Sequence, residues 1–356
     1  MNATTFCNTS QLILRNSHAL QSKRCLLLAP PADELAAALA LEGVVSEVVG
    51  LTQNIATHRY LDPIWQRLPI QHELLYGPIL AANQLELFDS VIFFLQKSKP
   101  LMMFWLDMVR PLLAPDASLW LVGENREGIK SWRKRLKTYF SDVTVIDNAR
   151  HCGLIEATGF EEVTSDFVVD HYFQSFDVSQ QSKSFVASSL PGVFSHGHLD
   201  QGTAILLASL HGCKASNVLD FGCGAGVISA ALALQQSDAN FTLVDCDALA
   251  LASTHKTLKN LKVGNYRTIA SDGLSDVSGR FDLIVSNPPF HQGVKTDYQV
   301  TEQFIRQSPN YLIKGGQLRI VANSFLRYES VIEKAFGNCC IVDSRNGYTV
   351  YEAIYH

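Results

Sequence analysis

The chain has 356 residues, 47% of them apolar and 18% charged, with 29 basic and 34 acidic residues giving a net charge of −5. This composition excludes a disordered chain, allows two domains with sizeable cores, and argues against a bulk, sequence-blind nucleic-acid binder. The eight cysteines form no C-x-x-C pair, and Cys339 and Cys340 are adjacent. With no secretory leader visible, free thiols in a reducing cytoplasm are expected rather than a disulfide scaffold or a zinc site. A membrane span needs about 18 apolar residues, and the best candidate, 91–106, is broken by Lys97, Ser98, Lys99 and Pro100.

In chain order, residues 25–28 (CLLL) read as a strand, followed by Ala29-Pro30-Pro31 with no glycine loop. Residues 88–92 (FDSVI) and 119–122 (LWLV) read as further strands. Six basic residues, Arg126, Lys130, Arg133, Lys134, Arg135 and Lys137, surround Trp132; they form either a grip on RNA phosphates or a solvated helix face. Residues 173–189, rich in Ser and Gln, read as a linker or loop.

The second half is clearer. Residues 217–221 (NVLDF) read as a strand running into Gly222-Cys223-Gly224-Ala225-Gly226, and 227–234 (VISAALAL) as a buried helix. Strands are expected at 241–244, 266–270, 281–285 and 317–322, helices at 248–261, 301–311 and 325–336, and a closing hairpin at 339–343 and 348–355. The alternation predicts a parallel α/β sheet.

The first half carries a faint copy of this pattern. Residues 88–92 precede their counterparts at 281–285 by 193 positions, 119–122 echo 318–321, and Ala56-Thr57-His58-Arg59 echoes Ser253-Thr254-His255-Lys256. The repeat predicts a duplicated domain whose first copy kept the fold and lost the site. Gly50 is expected where the second copy has Asp245, and Phe93-Phe94-Leu95-Gln96 where it has Ser286-Asn287-Pro288-Pro289. The expected division is a degenerate domain over 1–165, a linker or loop over 166–189, and a catalytic domain over 190–356.

Asp220 to Gly226 lets a backbone approach a ligand closely at the tip of a parallel strand. Val227 occupies the place of the last glycine of the dinucleotide pattern G-x-G-x-x-G, which disfavours a dinucleotide oxidoreductase. Asp245, at the end of the second strand, can accept from both hydroxyls of a ribose. Asp272, at the end of the third, is placed to reach an adenine amino group. Asn287-Pro288-Pro289-Phe290 must end its strand, because prolines do not sit inside a central strand. The Asn287 side-chain oxygen and the Pro288 carbonyl can accept both hydrogens of a planar amine, and Phe290 offers a face on which a base can stack. His196, His198 and His291 flank this region, but no H-x-x-x-H or H-x-E pair supports a metal.

These motifs resemble those of class I S-adenosylmethionine-dependent methyltransferases acting on amino nitrogens. Over most of the chain the sequence is similar to the ribosomal RNA small subunit methyltransferase C family. The residues carrying that likeness are Pro191-Gly192-Val193-Phe194-Ser195, Leu199-Asp200-Gln201-Gly202-Thr203, the glycine loop, Ser286 to His291, and Arg319-Ile320-Val321-Ala322-Asn323. The resemblance implies two tandem Rossmann-like domains, each a seven-stranded, mostly parallel sheet, the N-terminal one degenerate. It implies S-adenosyl-L-methionine as cofactor and the N2 amine of guanine 1207 in 16S rRNA of the small ribosomal subunit as target. By position, Asp220, Gly222, Cys223, Gly224 and Gly226 would bracket the methionine part of the cofactor, Asp245 hold the ribose and Asp272 the adenine. Phe194, Asp200 and Gly202 would lie over the cofactor pocket, although Asp200 is also placed to cap the helix near Thr203. Asn287 and Pro288 would hold the target amine, Pro289 and Phe290 would complete the catalytic motif, and Asn287 would also contact the cofactor. The motif alone equally fits adenine N6 or a glutamine amide, and a non-catalytic assembly factor is the alternative outside enzymes. A monomer behaving as a pseudo-dimer is expected.

Overall fold

The computed structural model describes residues 6–20, 22–80, 87–160, 167–180, 183–288 and 295–356. By internal contacts the chain separates into two units, Met1–Tyr172 and Phe173–His356. All eight cysteines are free, and no helix among the described residues is long and apolar enough to cross a membrane.

The first unit holds strands β1 (Ser22–Leu28), β2 (Val45–Thr52), β3 (Gln71–Tyr76), β4 (Phe88–Phe94), β5 (Leu113–Glu124), β6 (Phe140–Ala149) and β7 (Cys152–Phe160). Their order in the sheet is β3-β2-β1-β4-β5-β7-β6; only the pairings that involve β7 are antiparallel. Helices α1 (Asn8–Arg15), α2 (Leu35–Leu41), α3 (Ile55–Trp65), α4 (Lys99–Val109) and α5 (Ile129–Leu136) accompany it. The central strands read as continuous apolar runs because helices cover both faces of a parallel sheet; Cys25 to Leu28 and Val91 to Phe94 are all buried.

The stretch expected as a linker or loop instead carries an antiparallel hairpin, β8 (Gln174–Gln180) with β9 (Lys183–Ser189). Its Ser and Gln content marks strands with one solvated edge. The hairpin is anchored by Thr257, whose hydroxyl accepts from the Ser188 N–H at 3.0 Å and donates to its carbonyl at 3.2 Å.

The second sheet contains β10 (Asn217–Phe221), β11 (Asn240–Asp245), β12 (Tyr266–Ala270), β13 (Phe281–Ser286), β14 (Leu312–Asn323), β15 (Cys340–Arg345) and β16 (Tyr348–Ile354). Its order, β12-β11-β10-β13-β14-β16-β15, is that of the first sheet strand for strand. Its helices are α6 (Gln201–Ser209), α7 (Val227–Gln235), α8 (Ala248–Asn260), α9 (Lys295–Gln307) and α10 (Glu329–Phe336). Helix α9 begins six residues before the expected start at 301, and α10 begins after a 3-10 turn at Ser324–Leu326 that the sequence reading had merged with it.

The duplication extends to individual hydrogen bonds. Asp89 Oδ2 accepts from the Arg24 N–H at 2.8 Å, and Asp282 Oδ2 from the Asn217 N–H at 2.7 Å, each pair shifted by the same 193 positions. Ala29 N donates to Leu51 O at 2.8 Å, as Gly222 N does to Val244 O at 2.8 Å. Asn54 caps α3 and Asp247 caps α8. This register corrects two sequence expectations. Thr52, not Gly50, stands at the position of Asp245; a shift of two residues along a strand preserves the face and so escapes notice in a sequence. The tetrapeptides beginning at Ala56 and Ser253 lie one helical turn apart. The offset rises to 199 by β5 and β14, so the second copy gains six residues between β13 and β14, next to the Asn-Pro-Pro motif.

Candidate functional site at the strand ends of the second sheet

The order β12-β11-β10-β13 lines up four carboxyl-terminal strand ends. Asp272 follows β12, Asp245 ends β11, the glycine turn follows β10, and Asn287 follows β13. This edge is where open parallel α/β sheets bind ligands.

The turn after β10 is built by left-handed backbone. Gly222, Gly224 and Gly226 have φ of +68°, +54° and +72°. A Cβ on Gly222 or Gly224 would meet nothing within 4 Å, so these two leave an open cradle. Gly226 differs: its Cβ would lie 3.1 Å from Thr254 Oγ1 and 3.2 Å from Thr254 Cα, so it lets α7 approach α8. Cys223 is buried, and its sulfur accepts from Thr254 Oγ1 at 3.3 Å.

Asp245 is tied to this turn. Its Oδ2 accepts from Gly224 N–H at 3.0 Å and its Oδ1 from Asp247 N–H at 3.0 Å, and Cys246 adds further hydrogen bonds to the same carboxyl. Burial raises its carboxyl above the usual range, against the opposing hydrogen bonds from the Gly224 and Asp247 backbone. Asp247 caps α8 through Leu249 N–H at 2.7 Å, and burial followed by the Asp245 charge raises it to about 7. Asp220 is fully buried in β10; its Oδ2 accepts from Ser229 Oγ at 2.7 Å and Ser229 N–H at 3.2 Å, while its Oδ1 has no partner among the described residues. Burial pushes it up to about 7. Asp272 is exposed in the loop after β12.

Asn287 is held from the other side. Its Nδ2 donates to Asp200 Oδ2 at 2.9 Å and to Thr203 Oγ1 at 2.8 Å. A carboxylate only accepts, so the amide nitrogen faces Asp200 and the Asn287 oxygen faces the opposite way. Asp200 also caps α6, accepting from Thr203 N–H at 2.8 Å. It therefore joins the amine motif directly as well as capping the helix. Gly202 is buried because a Cβ there would lie 2.9 Å from the Tyr348 ring. Pro288 is buried, and Phe194 is 57% exposed in the loop before α6. Pro289, Phe290 and His291 lie outside the described residues.

Thr203 and Tyr348 were missed from sequence. The Asp200-x-x-Thr203 spacing at a helix start could have exposed Thr203, since a cap and its third residue share a hydrogen bond. Nothing local signals Tyr348. His196 Nδ1 sits 3.0 Å from Ser189 Oγ, and burial lowers its pKa. Among the described residues no group of three His, Cys, Asp or Glu side chains is placed to hold a metal ion.

Comparison with known proteins gives consistent matches. The family described as "Methyltransferase small domain N-terminal" matches residues 10–176, and "Methyltransferase small domain" matches 184–352. The chain is 38% identical to ribosomal RNA small subunit methyltransferase C of Pseudoalteromonas translucida, over 97% of this chain and 98% of that protein. It is 42% identical to the protein of the same name from Pseudomonas entomophila, over 75% of this chain and 79% of the relative. Among solved structures, the 16S rRNA N2 G1207 methyltransferase of T. Thermophilus, in complex with AdoMet and guanosine, matches with a TM-score of 0.82 at 23% identity, covering 99% of this chain and 93% of that one. At that identity the structural match speaks for the fold.

Proposed function

The chain belongs to the ribosomal RNA small subunit methyltransferase C family, and from that membership we propose that it transfers a methyl group from S-adenosylmethionine to the N2 amine of guanine 1207 in 16S rRNA. The observation that carries the reading is the fixed orientation of Asn287, whose amide nitrogen is engaged by Asp200 and Thr203 while its oxygen is left to accept.

The residues present fit the cofactor. The open cradle at Gly222 and Gly224 gives room for close backbone approach, and the Asp245 carboxyl is hydrogen-bonded directly to the Gly224 backbone of that cradle. When bound, S-adenosylmethionine supplies a methyl group on a positively charged sulfur, open to attack by a nitrogen lone pair. Asp245 accepts from the ribose hydroxyls at the end of β11. Asp272, exposed at the neighbouring strand end, takes the adenine amino group. Asp220, fully buried, ties the end of β10 to α7 through Ser229 and so supports the turn. Gly226, Cys223 and Gly202 serve by shaping the turn and the packing around it, and Phe194 by covering the pocket with its exposed ring.

Asn287 Oδ1 and the Pro288 carbonyl accept the two hydrogens of the target amine. That holds the nitrogen and keeps its lone pair available. No strong base is required, because the amine becomes cationic on attack and loses its proton afterwards. The base must leave its duplex to reach the site, and Pro289 and Phe290 complete the stacking face. The N-terminal unit supports the catalytic unit, to which the hairpin at 174–189 belongs, and docks the small ribosomal subunit. The protein acts as a monomer in the cytoplasm, where its free thiols stay reduced.

The test is tritiated methyl transfer to naked 16S rRNA and to small subunits from a strain lacking the enzyme, with nucleoside analysis of the product. N2-methylguanosine from the wild type and none from Asn287→Ala supports the reading. Absence of transfer to either substrate overturns it.

A further inference from the structure

Helix α5 lies in the unit that carries no glycine turn. Residues 1–172 hold 19 acidic and 15 basic residues, yet six of those 15 fall within the twelve positions 126–137. The helix buries Ile129, Trp132 and Leu136 and exposes Lys130, Arg133, Lys134 and Arg135, with Lys137 following. Arg126 pairs with Glu124, and the Arg135 guanidinium lies 5.8 Å from the Trp132 ring centre. Lys130, Arg133, Lys134 and Lys137 make no ion pair among the described residues. Asp147, next to Asn148 in β6, is already engaged by Arg15 at 3.2 Å and Asn16 at 2.9 Å.

Beside this face, a cleft of about 350 Å³ opens between α5 and the β6–β7 hairpin. Lys130 and Arg133 stand on one side, Asn125 and Asn148 supply amides, and Val145 and Ile155 give an apolar wall. Asn125 Oδ1 is buried with no hydrogen-bond partner among the described residues. A buried acceptor left without a partner is unfavourable, and the side chain that carries it lines this cleft. The cleft lies at the lower end of the ~300–1,000 Å³ range of small-ligand sites. Cations for phosphate, amides for a base edge and an apolar wall for a base face are the groups by which proteins hold an unstacked nucleotide.

We propose that this cleft and the cationic face of α5 are an RNA-binding site of the N-terminal unit: Lys130 and Arg133 take backbone phosphates, and Asn125 and Asn148 meet the edge of one unstacked nucleotide. The proposal rests on the reading of RNA as substrate. It gives the unit without a methyl-transfer site its own means of gripping the target.

The experiment uses the full chain and a fluorescein-labelled hairpin from the 16S rRNA segment containing guanine 1207. Anisotropy titrations across a salt series compare the wild type with Lys130→Ala/Arg133→Ala, with Asn125→Ala, and with Lys97→Ala/Lys99→Ala as an equal loss of charge elsewhere on the unit. The cleft double variant should weaken binding roughly ten-fold or more and shrink the salt slope by about 2. Asn125→Ala should weaken binding by a few-fold with the salt slope unchanged, and the Lys97/Lys99 pair should leave both intact. Calorimetric affinity for S-adenosylmethionine, a property of the other unit, should not move in any variant. Wild-type binding matched by the cleft variants overturns the proposal alone, as does an equal loss from the Lys97/Lys99 pair. Unchanged binding of naked RNA with lost binding of assembled small subunits overturns it in favour of a protein contact. Failure of the wild type to bind RNA overturns the substrate reading and this proposal together.

Discussion

Asn287 Nδ2 lies 2.9 Å from Asp200 Oδ2, across 87 residues of sequence, and that contact decides which end of the Asn287 amide faces outward. Asp200 Oδ2 also accepts from the Thr203 N–H of the helix cap, so one oxygen serves both contacts. Asp200→Asn, which keeps a cap-competent oxygen, should therefore retain most of kcat, whereas Asp200→Ala removes the acceptor and should lower kcat roughly ten- to a hundred-fold with little change in cofactor affinity. Thr203→Val should act in the same direction as Asp200→Ala. Single-turnover methyl transfer together with calorimetry separates the two quantities; an unchanged kcat in Asp200→Ala would sink the orienting role. Asn287→Ala, which removes the acceptor itself, should cost about 10²–10³ in kcat.

Asp245 braces Gly224 and Asp247 at the end of β11, beside the open glycine turn. Asp245→Ala should weaken S-adenosylmethionine binding about ten- to a hundred-fold, the worth of charge-assisted hydrogen bonds of about 1.5–3 kcal/mol. Calorimetric titration reads this directly, and binding equal to that of the wild type would refute the assignment.

The three glycines of the turn should separate by role. Gly226→Ala combines a left-handed backbone, at about 1–2 kcal/mol, with a methyl group forced against Thr254, so it should depress the melting temperature most. Gly222→Ala carries the backbone strain without the clash and should chiefly reduce cofactor affinity. Ala29 already adopts φ +56° at the equivalent position of the first unit, so an alanine can be accommodated there. Thermal melts and calorimetry on both variants check the distinction.

Burial raises Asp220 to about 7 from an ordinary carboxyl value of 3.8. The folded protein therefore holds a proton there that the unfolded chain releases. That contribution is fully present below the unfolded pKa and is lost as pH rises through the folded one, so stability should decline from about pH 4 to about pH 7. Asp247, raised to about 7 chiefly by burial, acts in the same direction. Asp220→Asn cannot ionise and should flatten part of this slope. Urea unfolding at pH 5 and pH 7.5 measures it; an identical slope in the variant would assign the effect elsewhere.

Much of the site was legible because its residues sit next to strand ends and strand ends are written as local patterns. The run NVLDF into three glycines, Asp245 after FTLV, and Asn287 before two prolines each announce a strand stopping and a polar group following. The roles of Gly226 and Gly202 were not legible, because each glycine is explained by a distant side chain, Thr254 and Tyr348 respectively. The hairpin at 174–189 was concealed by its polar composition, which local reading cannot distinguish from a loop. Thr52 was displaced from its match with Asp245 because strand pairing, not similarity, sets the register.

By itself the amino-acid sequence determined the α/β class, the duplication, the loss of the glycine turn in the first copy and the identity of the polar groups at the second. These follow from periodicity and from backbone restrictions at Gly and Pro, which act within a few residues. The three-dimensional packing settled which way Asn287 points, which glycines face open space and which face a neighbouring side chain, and that Asn125 lines one cleft with Lys130 and Arg133. Those outcomes depend on side chains brought together from distant parts of the chain, where direction and distance, rather than residue type, settle the chemistry.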